Sequence, residues 1–227
     1  MLIQGRREIV RLRSHSQASV RRHAGCSALG ARIGSYVVRK LESLRERHRM
    51  MRIRRNPTPL VALLRSARRM LIVCHGNIIR SPFAARLMAQ ILVARAPIAI
   101  ASAGVQASPN RPPDPAAVAA ASQLGVDLRD HVAVRITPEI VARADVILVM
   151  DVSQLLLMRK CFPNARGRTF LMAALCRDVP LEIADPFGGN AATFQECYGH
   201  VSRAVYAIVS VIAGEKMAGT DRPVAGR

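Results

Sequence analysis

The sequence predicts an α/β fold, a single domain with a four-stranded parallel sheet flanked by helices and preceded by a basic N-terminal extension. From Met70 onward, short apolar segments that suit strands alternate with longer segments that suit helices. Val146–Met150 is apolar and rich in β-branched residues, as is typical of a buried parallel strand. Half of the 227 residues are hydrophobic but only 4% are aromatic, which predicts a sizeable core of aliphatic side chains.

The individual elements follow from apolar runs, helix-starting residues and breakers along the chain. The predicted strands are Met70–Cys74, a strand around Ile98–Ser102, Val146–Met150 and Thr169–Leu171. The predicted helices of the domain are Ser81–Ala94, Pro115–Leu124, Pro138–Ala142, Ser153–Cys161 and Ala191–Ala213. We therefore place the domain at residues 70–214, and a C-terminal tail follows at residues 215–227.

The positive charge is concentrated in residues 1–69, which hold 18 Lys and Arg against 3 Asp and Glu, a net charge of +15 out of +19 for the chain. We expect this extension to be largely disordered or partly helical. A basic amphipathic helix is predicted at Ile33–Met50 and a short helix at Leu60–Arg68, separated by a breaker at residues 56–59.

Four interpretations of the extension stay open on sequence grounds. It is a disordered basic tail, a weak contact for an anionic membrane surface or nucleic acid, or a transit peptide. In the fourth, translation starts at Met50, Met51 or Met70 and part of the extension is not made. Its charge alone gives only nonspecific, salt-dependent binding to nucleic acid, because it lacks interleaved basic and aromatic residues.

The five cysteines are odd in number and form no CxxC pair, which argues against a disulfide framework and against a zinc site. We expect a cytoplasmic protein with reduced thiols that needs no metal and no cofactor. No apolar run reaches the roughly 18 residues of a membrane span, and the N-terminus lacks the apolar centre of a secretory signal.

The segment that follows the first predicted strand has the features of an oxyanion-binding loop. Gly76 and Asn77 tolerate positive φ, and Ser81-Pro82 is a favourable helix start with Ser81 as the predicted N-cap. A strand, a tight loop and a helix N-terminus in this order direct several backbone N–H groups into one concavity. Such a concavity binds tetrahedral oxyanions.

Two side chains in this loop can carry out phosphoryl transfer. Cys74 lies at the start of the loop, where the positive field favours the thiolate, and Ser81 can donate a hydrogen bond to it. Arg80 closes the loop, and its planar fork can hold two phosphate oxygens. The thiolate can then attack phosphorus and form a phosphocysteine intermediate. The remaining loop residues, predicted to surround the phosphate, are His75, Gly76, Asn77, Ile78 and Ile79.

Val73–Pro82 resembles the signature V-C-x-G-N-I-C-R-S-P of the low-molecular-weight protein tyrosine phosphatase family and departs from it at one informative position. The resemblance extends over about residues 70–214. It implies the phosphatase fold of that family and hydrolysis of phosphotyrosine in proteins. By analogy with bacterial members of the family, it also implies a tyrosine kinase as one possible substrate.

A thiolate attack on a phosphoester needs an acid that protonates the leaving oxygen. Asp185-Pro186-Phe187-Gly188 can supply it, with Phe187 as an aromatic wall for a phenyl ring. The resemblance implies the same role, because an Asp-Pro-aromatic segment near the C-terminus carries the acid in the family. We therefore predict Asp185 as the general acid.

The resemblance also implies two supports for the loop. Ser102 matches the family serine that bonds to the loop asparagine, here Asn77. His131 matches a loop histidine that buttresses the same network, although an ordinary surface or core histidine is an equally good interpretation of this residue.

Two departures from the family pattern concern the site. Ile79 stands where the family usually has a second cysteine, which can form a protective disulfide with the nucleophile. An oxidised Cys74 without that partner is expected to proceed to irreversible acids. Gly188 replaces the second aromatic residue after Asp-Pro, which leaves Phe187 alone and the aryl slot more open.

Three alternatives to a tyrosine phosphatase were weighed. An arsenate reductase on this fold needs a cysteine at the end of the central strand, where this chain has Met150 and Asp151. Relatives that act on phosphoarginine tend to have threonine where Ile78 stands. A phosphate-binding pseudoenzyme that acts through its basic tail is the non-enzymatic alternative, and the presence of nucleophile, clamp and acid together argues against it.

Overall fold

The structure is a computed structural model that describes residues 37–93 and 96–214. The chain divides into two compact units, Met1–Leu44 and Arg45–Arg227. Residues 37–44, the described part of the first unit, are helical. The predicted helix start at Ile33 and the predicted tail at residues 215–227 lie outside the described residues.

Four parallel strands of the second unit form one sheet in the order β2-β1-β3-β4. The strands are β1 (Arg69–Cys74), β2 (Ala99–Gly104), β3 (Val146–Val149) and β4 (Thr169–Leu171). This confirms the predicted four-stranded parallel sheet. The end of β2 lies beyond the predicted Ser102, because Ala103 and Gly104 continue the pairing with Val73 and Cys74.

Helices precede, connect and follow the strands. They are α1 (residues 45–55), α2 (Thr58–Ser66), α3 (Arg80–Leu92), α4 (Pro115–Gln123), α5 (Pro138–Arg143), α6 (Val152–Cys161) and α7 (Ala191–Ile212), with 3-10 helices at Pro163–Arg168 and Met172–Leu175. All five predicted domain helices are present with ends shifted by a residue or two, the usual uncertainty at helix termini. Ala94, the predicted end of α3, lies outside the described residues.

The core lies on both faces of the sheet and is only partly aliphatic. Every residue of β3 is buried, as is β1 from Met70 to Cys74. Between α3 and α7, however, the ring of Phe83 stacks on Tyr198 at 3.9 Å between centroids, and Phe194 meets Tyr198 edge-on at 6.4 Å. The predicted aliphatic core is therefore corrected at this helix–helix contact, where aromatic rings fill a space too wide for short side chains.

The helices before the sheet belong to the same packed unit. Leu60 and Leu64 stand one turn apart on α2 and are at most 1% exposed, and Met50 of α1 is fully buried. The second unit begins at Arg45, and α1 and α2 therefore pack with the sheet. In the described residues no helix combines the length and the apolar character that a membrane span requires.

The order of the strands determines where a ligand site can form. From β1 the chain crosses to β2 on one side, and β3 then joins β1 on the other side, so the direction of the connections reverses between β1 and β3. In open parallel sheets, ligands bind at such a reversal, beyond the carboxyl ends of the strands. The loops after β1 and β3 meet at that edge.

Candidate active site

Cys74 ends β1 and is the first residue of the predicted loop. It is only 2% exposed, and its Sγ atom lies 3.0 Å from the Ser81 hydroxyl oxygen. The backbone N–H of Asn77 donates to the same sulfur over 3.3 Å. Asn77 Nδ2 also donates to Ser81 Oγ over 2.8 Å, so the one hydroxyl proton of Ser81 is directed to the sulfur or to the carbonyl oxygen of Ala103, 3.4 Å away. The sulfur thus accepts a hydrogen bond from the loop backbone and lies against the Ser81 hydroxyl.

Asn77 holds the loop in shape from its centre. Its φ of 54° lies in the left-handed region, and its side chain is fully buried. Besides Ser81, Nδ2 donates to the hydroxyl of Ser102 over 2.9 Å, while Oδ1 accepts from the N–H of Val134 over 2.8 Å. The predicted Ser102–Asn77 pair is present in the structure. Val134 is an additional partner, and its backbone contact has no sequence signature.

His131 contacts the same residue from the opposite side. Its Nε2 lies 2.8 Å from the carbonyl oxygen of Asn77, which can only accept, so Nε2 carries the proton. Burial is the largest influence on this ring and lowers its pKa, assisted by Arg86, while the bond to Asn77 and the charge of Asp130 raise it. Of the two interpretations offered by the sequence, the structure favours the histidine that supports the loop.

The chain after β2 forms the floor beneath the loop. The N–H groups of Val105 and Gln106 donate to the carbonyls of Cys74 and His75 over 3.0 and 2.9 Å. At Gly104 a Cβ atom would lie 2.7 Å from the carbonyl oxygen of His75 and 2.8 Å from the Asn77 nitrogen. A side chain at this position would therefore push the loop away from β2.

The helix start differs from the prediction. The first helical residue of α3 is Arg80, and Ile79 occupies the N-cap position without a side-chain cap. Ser81 is therefore not the N-cap as predicted, and Pro82 is not the first helical residue. The physical reason is that the Ser81 hydroxyl turns to Cys74 and Asn77 instead of capping its own helix.

Arg80 is buried, with 2% of its side chain exposed, and carboxylates and a carbonyl orient it. NH1 donates to the carbonyl of Ile183 over 3.0 Å and to Asp151 Oδ2 over 3.3 Å. NH2 donates to Asp185 Oδ2. Arg80 Nε is buried without a hydrogen-bond partner in the described parts of the chain. A donor in that position is suited to an anionic oxygen.

Asp185 and Phe187 form the outer side of the site. Asp185 is anchored through Arg80, and its other carboxylate oxygen, Oδ1, accepts from the N–H of Phe187 over 3.3 Å. The Asp185 side chain is 40% exposed and Phe187 is 61% exposed. Gly188 follows with φ 76°, a conformation that favours glycine, which accounts for the absence of a second aromatic residue at this point.

The predicted residues come together around one cavity of about 320 Å³. Its walls combine residues of the loop after β1 with residues of the Asp-Pro-Phe segment. The predicted residues that line it are Cys74, His75, Gly76, Ile78, Ile79, Arg80, Asp185 and Phe187. Asn77, Ser81, Ser102 and His131 stand behind the loop and connect to it by hydrogen bonds. The arrangement places a thiol, a guanidinium and a carboxyl group on one cavity.

Sequence reasoning missed several residues that shape the site. Gln106, Ser108 and Arg111 also line the cavity and come from the loop after β2. Asp151, which is not among the predicted site residues, also orients Arg80. Its place directly after the central strand, at the carboxyl edge of the sheet, was the available signal.

Comparison with known proteins agrees with this geometry. The sequence profile of the family described as low molecular weight phosphotyrosine protein phosphatase matches residues 69–218. A probable low molecular weight protein-tyrosine-phosphatase, EpsP of Ralstonia nicotianae, is 36% identical over 139 residues, which cover 61% of this chain and 92% of the relative.

Solved structures give the same result. The crystal structure of the Erwinia amylovora tyrosine phosphatase AmsI has a TM-score of 0.60 and 35% identity, covering 63% of this chain and 92% of that one. The tyrosine phosphatase Wzb from Escherichia coli K30, in complex with sulphate, has a TM-score of 0.58 and 31% identity, covering 62% and 96%. This chain belongs to the low molecular weight phosphotyrosine protein phosphatase family.

Proposed function

We propose that this chain, a protein tyrosine phosphatase, hydrolyses phosphotyrosine with Cys74 as nucleophile, Arg80 as phosphate clamp and Asp185 as general acid and base. The observation that carries the proposal is the cavity whose lining holds all three side chains. Cys74 is nearly buried in that lining, whereas 40% of the Asp185 side chain is exposed and so can be reached by a leaving group and by water.

The reaction proceeds in two displacements. The Cys74 thiolate attacks phosphorus and the P–O bond to the aryl group breaks, while Asp185 donates its proton to the leaving oxygen. Water then attacks the phosphocysteine, Asp185 takes a proton from that water, and the P–S bond breaks to regenerate the thiolate. Loop N–H groups and the Arg80 guanidinium stabilise the charge on the equatorial oxygens in both steps.

Arg80 and Asp185 are paired before substrate arrives, because NH2 of the arginine donates to Oδ2 of the aspartate. A bound phosphoryl dianion competes for that nitrogen and also accepts from Nε, which has no other partner in the described residues. The exchange releases the Asp185 carboxyl towards the leaving oxygen. Phosphate docking therefore switches Asp185 from a partner of the clamp to a partner of the substrate.

The shape of the cavity favours an aryl phosphate. The sulfur is nearly buried, so the phosphoryl group must reach past the rim, and a tyrosine side chain is longer than a serine side chain. Phe187 at the rim can stack on the phenyl ring, and Ile78 and Ile79 add apolar wall. Arg111, which also lines the cavity, favours acidic residues beside the phosphotyrosine.

For the cellular setting we propose a phosphotyrosine protein as substrate, with a bacterial tyrosine kinase as the first candidate, and action in the cytoplasm. Two relatives whose names assign them to this family, EpsP and AmsI, come from the bacteria Ralstonia nicotianae and Erwinia amylovora. The four cysteines in the described residues are free thiols, which suits a reducing compartment.

The test is hydrolysis of para-nitrophenyl phosphate near pH 5–6 by the wild type and by Cys74→Ser. We expect turnover by the wild type and a loss on the order of 10,000-fold in the variant, as is typical when a nucleophile is removed. Phosphopeptides with phosphotyrosine, phosphoserine and phosphoarginine then rank the substrates, with phosphotyrosine expected first. A well-folded but inert wild type would overturn the proposal.

A further inference from the structure

The segment that carries Asp185 has no helix or strand of its own. We call residues 176–187, which run from the end of the 3-10 helix Met172–Leu175 to Phe187, the acid segment. All of them are in turns, bends or irregular backbone. The position of Asp185 therefore depends on contacts that other elements make with this segment.

Arg54 of α1 contacts the acid segment and the residues just before it. Its NH2 donates to the carbonyl oxygen of Val179 over 3.2 Å and to that of Ala173, just before the segment, over 2.7 Å. Arg177 of the segment donates back to the carbonyl of Arg54 over 3.4 Å. One partly buried guanidinium thus joins α1 to both sides of the bend where the acid segment begins.

Arg47 provides a second connection nearer to Asp185. Its Nε donates to Glu182 Oε1 over 2.7 Å, and Glu182 Oε2 accepts from the N–H of Val152 over 2.9 Å. Val152 is the first residue of α6 and follows Asp151, which orients Arg80. One carboxylate therefore joins α1, the acid segment and the start of α6.

Ile183, the residue after Glu182, connects the acid segment to Arg80. The N–H of Ile183 donates to the carbonyl of Met150 over 2.9 Å, and its own carbonyl accepts from Arg80 over 3.0 Å. Arg80 in turn holds Asp185. Glu46 of α1 pairs with Arg159 of α6, so α1 is also anchored beside the segment that it supports.

These contacts come from residues that precede the family match, which begins at residue 69. We propose that Arg54 and Arg47 are positioning residues for the general acid: they hold the acid segment so that Asp185 meets the leaving oxygen. The inference rests on the proposed function of Asp185. It assigns residues 45–55, part of the basic extension, to the support of the catalytic site.

The test compares Arg54→Ala, Arg54→Lys and Arg47→Ala with Arg52→Ala in the full chain. Arg52 is an exposed α1 residue whose side chain has no partner among the described residues, and Ala and Arg have similar helix propensity, so it is the matched control. For each protein, kcat/KM is measured on para-nitrophenyl phosphate and on phenyl phosphate, together with inhibition by inorganic phosphate and the melting temperature.

A misplaced acid penalises poor leaving groups most, because para-nitrophenolate leaves with little help whereas phenolate needs the proton. We expect Arg54→Ala to lower kcat/KM on the order of tenfold for phenyl phosphate and several-fold less for para-nitrophenyl phosphate. The inhibition constant for phosphate stays unchanged. Arg54→Lys, which retains one donor towards the carbonyls, recovers part of the loss, and the more exposed Arg47→Ala gives a smaller change in the same direction.

Equal losses on both substrates, or a ratio no different from that of Arg52→Ala, would overturn the inference. If Arg54→Ala proves too unstable to assay, Arg54→Lys and Arg47→Ala carry the same comparison. Asp185→Ala separates this inference from the proposed function. If that variant keeps the wild-type substrate ratio, Asp185 is not the acid; if it changes the ratio while the α1 variants do not, only the positioning role fails.

Discussion

The loop after β1 and the acid segment line the same cavity, but the protein holds them by different means. Cys74, Asn77, Arg80 and Ser81 are at most 2% exposed and sit between a central strand and a long helix. In the acid segment, the Asp185 side chain is 40% exposed and no regular element contains it. Under the proposed function, the protein therefore presents a preorganised anion site next to an acid on a segment without regular secondary structure.

This difference agrees with what the two parts have to do. The anion site must meet the charged equatorial oxygens with donors already in place, because reorientation during the reaction would raise the barrier. The acid has to accept and return a proton while the leaving group departs and water enters, which requires access from solvent. The same reaction therefore requires a rigid anion site and an acid that solvent can reach.

The largest effect that separates the two regions is expected for Asp185→Ala. Loss of the general acid lowers kcat/KM on phenyl phosphate by about 100- to 10,000-fold. Inhibition by inorganic phosphate does not weaken, since the loop is intact and the Arg80 nitrogen loses a competing carboxylate. Steady-state kinetics and phosphate titration check both expectations, and a parallel loss of phosphate affinity would show that the two regions are not separable.

The variant Gly104→Ala tests the rigid loop at its contact with the end of β2. The added Cβ would lie within 3 Å of backbone atoms of His75 and Asn77, so the loop has to shift. We expect both kcat/KM and phosphate affinity to fall, by roughly 10- to 100-fold, the scale of misplacement by about 1 Å.

The control for this variant is Gly199→Ala on α7, where an added Cβ meets nothing within 4 Å. That change should leave kinetics intact and raise stability by about 0.5–1 kcal/mol, because glycine is unfavourable inside a helix. A Gly104→Ala enzyme with unchanged phosphate affinity would mean that the loop is more adaptable than its burial suggests.

The smallest effect concerns pH and His131. Burial lowers the pKa of this ring below its ordinary value of 6.5, so the unfolded chain binds a proton that the folded loop does not. Its stabilising contribution is complete above pH 6.5 and is lost as pH falls from there through the folded pKa. Denaturant unfolding from pH 7.5 to pH 5 should therefore show a steeper decline for the wild type than for His131→Gln. Identical slopes would remove His131 from the pH response.

The chain itself specifies the parts of the site that are close in sequence. Cys74, Asn77, Arg80 and Ser81 fall within eight residues, and a strand, a loop and a helix in succession suffice to direct them at one point. The strands and helices were predictable because apolar runs and breakers act locally. The N-cap assignment of Ser81 was wrong because a tertiary contact with the Cys74 sulfur outcompeted the local capping preference.

The tertiary structure determined which residues distant in sequence contact the loop. Gly104, Val134 and Asp151 reach the loop because the sheet order places β2 and β3 on either side of β1. Nothing in the sequence of residues 45–55 indicated that Arg54 and Arg47 would contact the acid segment, since a basic helix suits a solvated tail as well as a docked one. Pairing between remote segments depends on strand order and packing, which no local pattern encodes. The sequence alone therefore determined which chemical groups the loop carries, whereas the tertiary structure determined which distant residues support it.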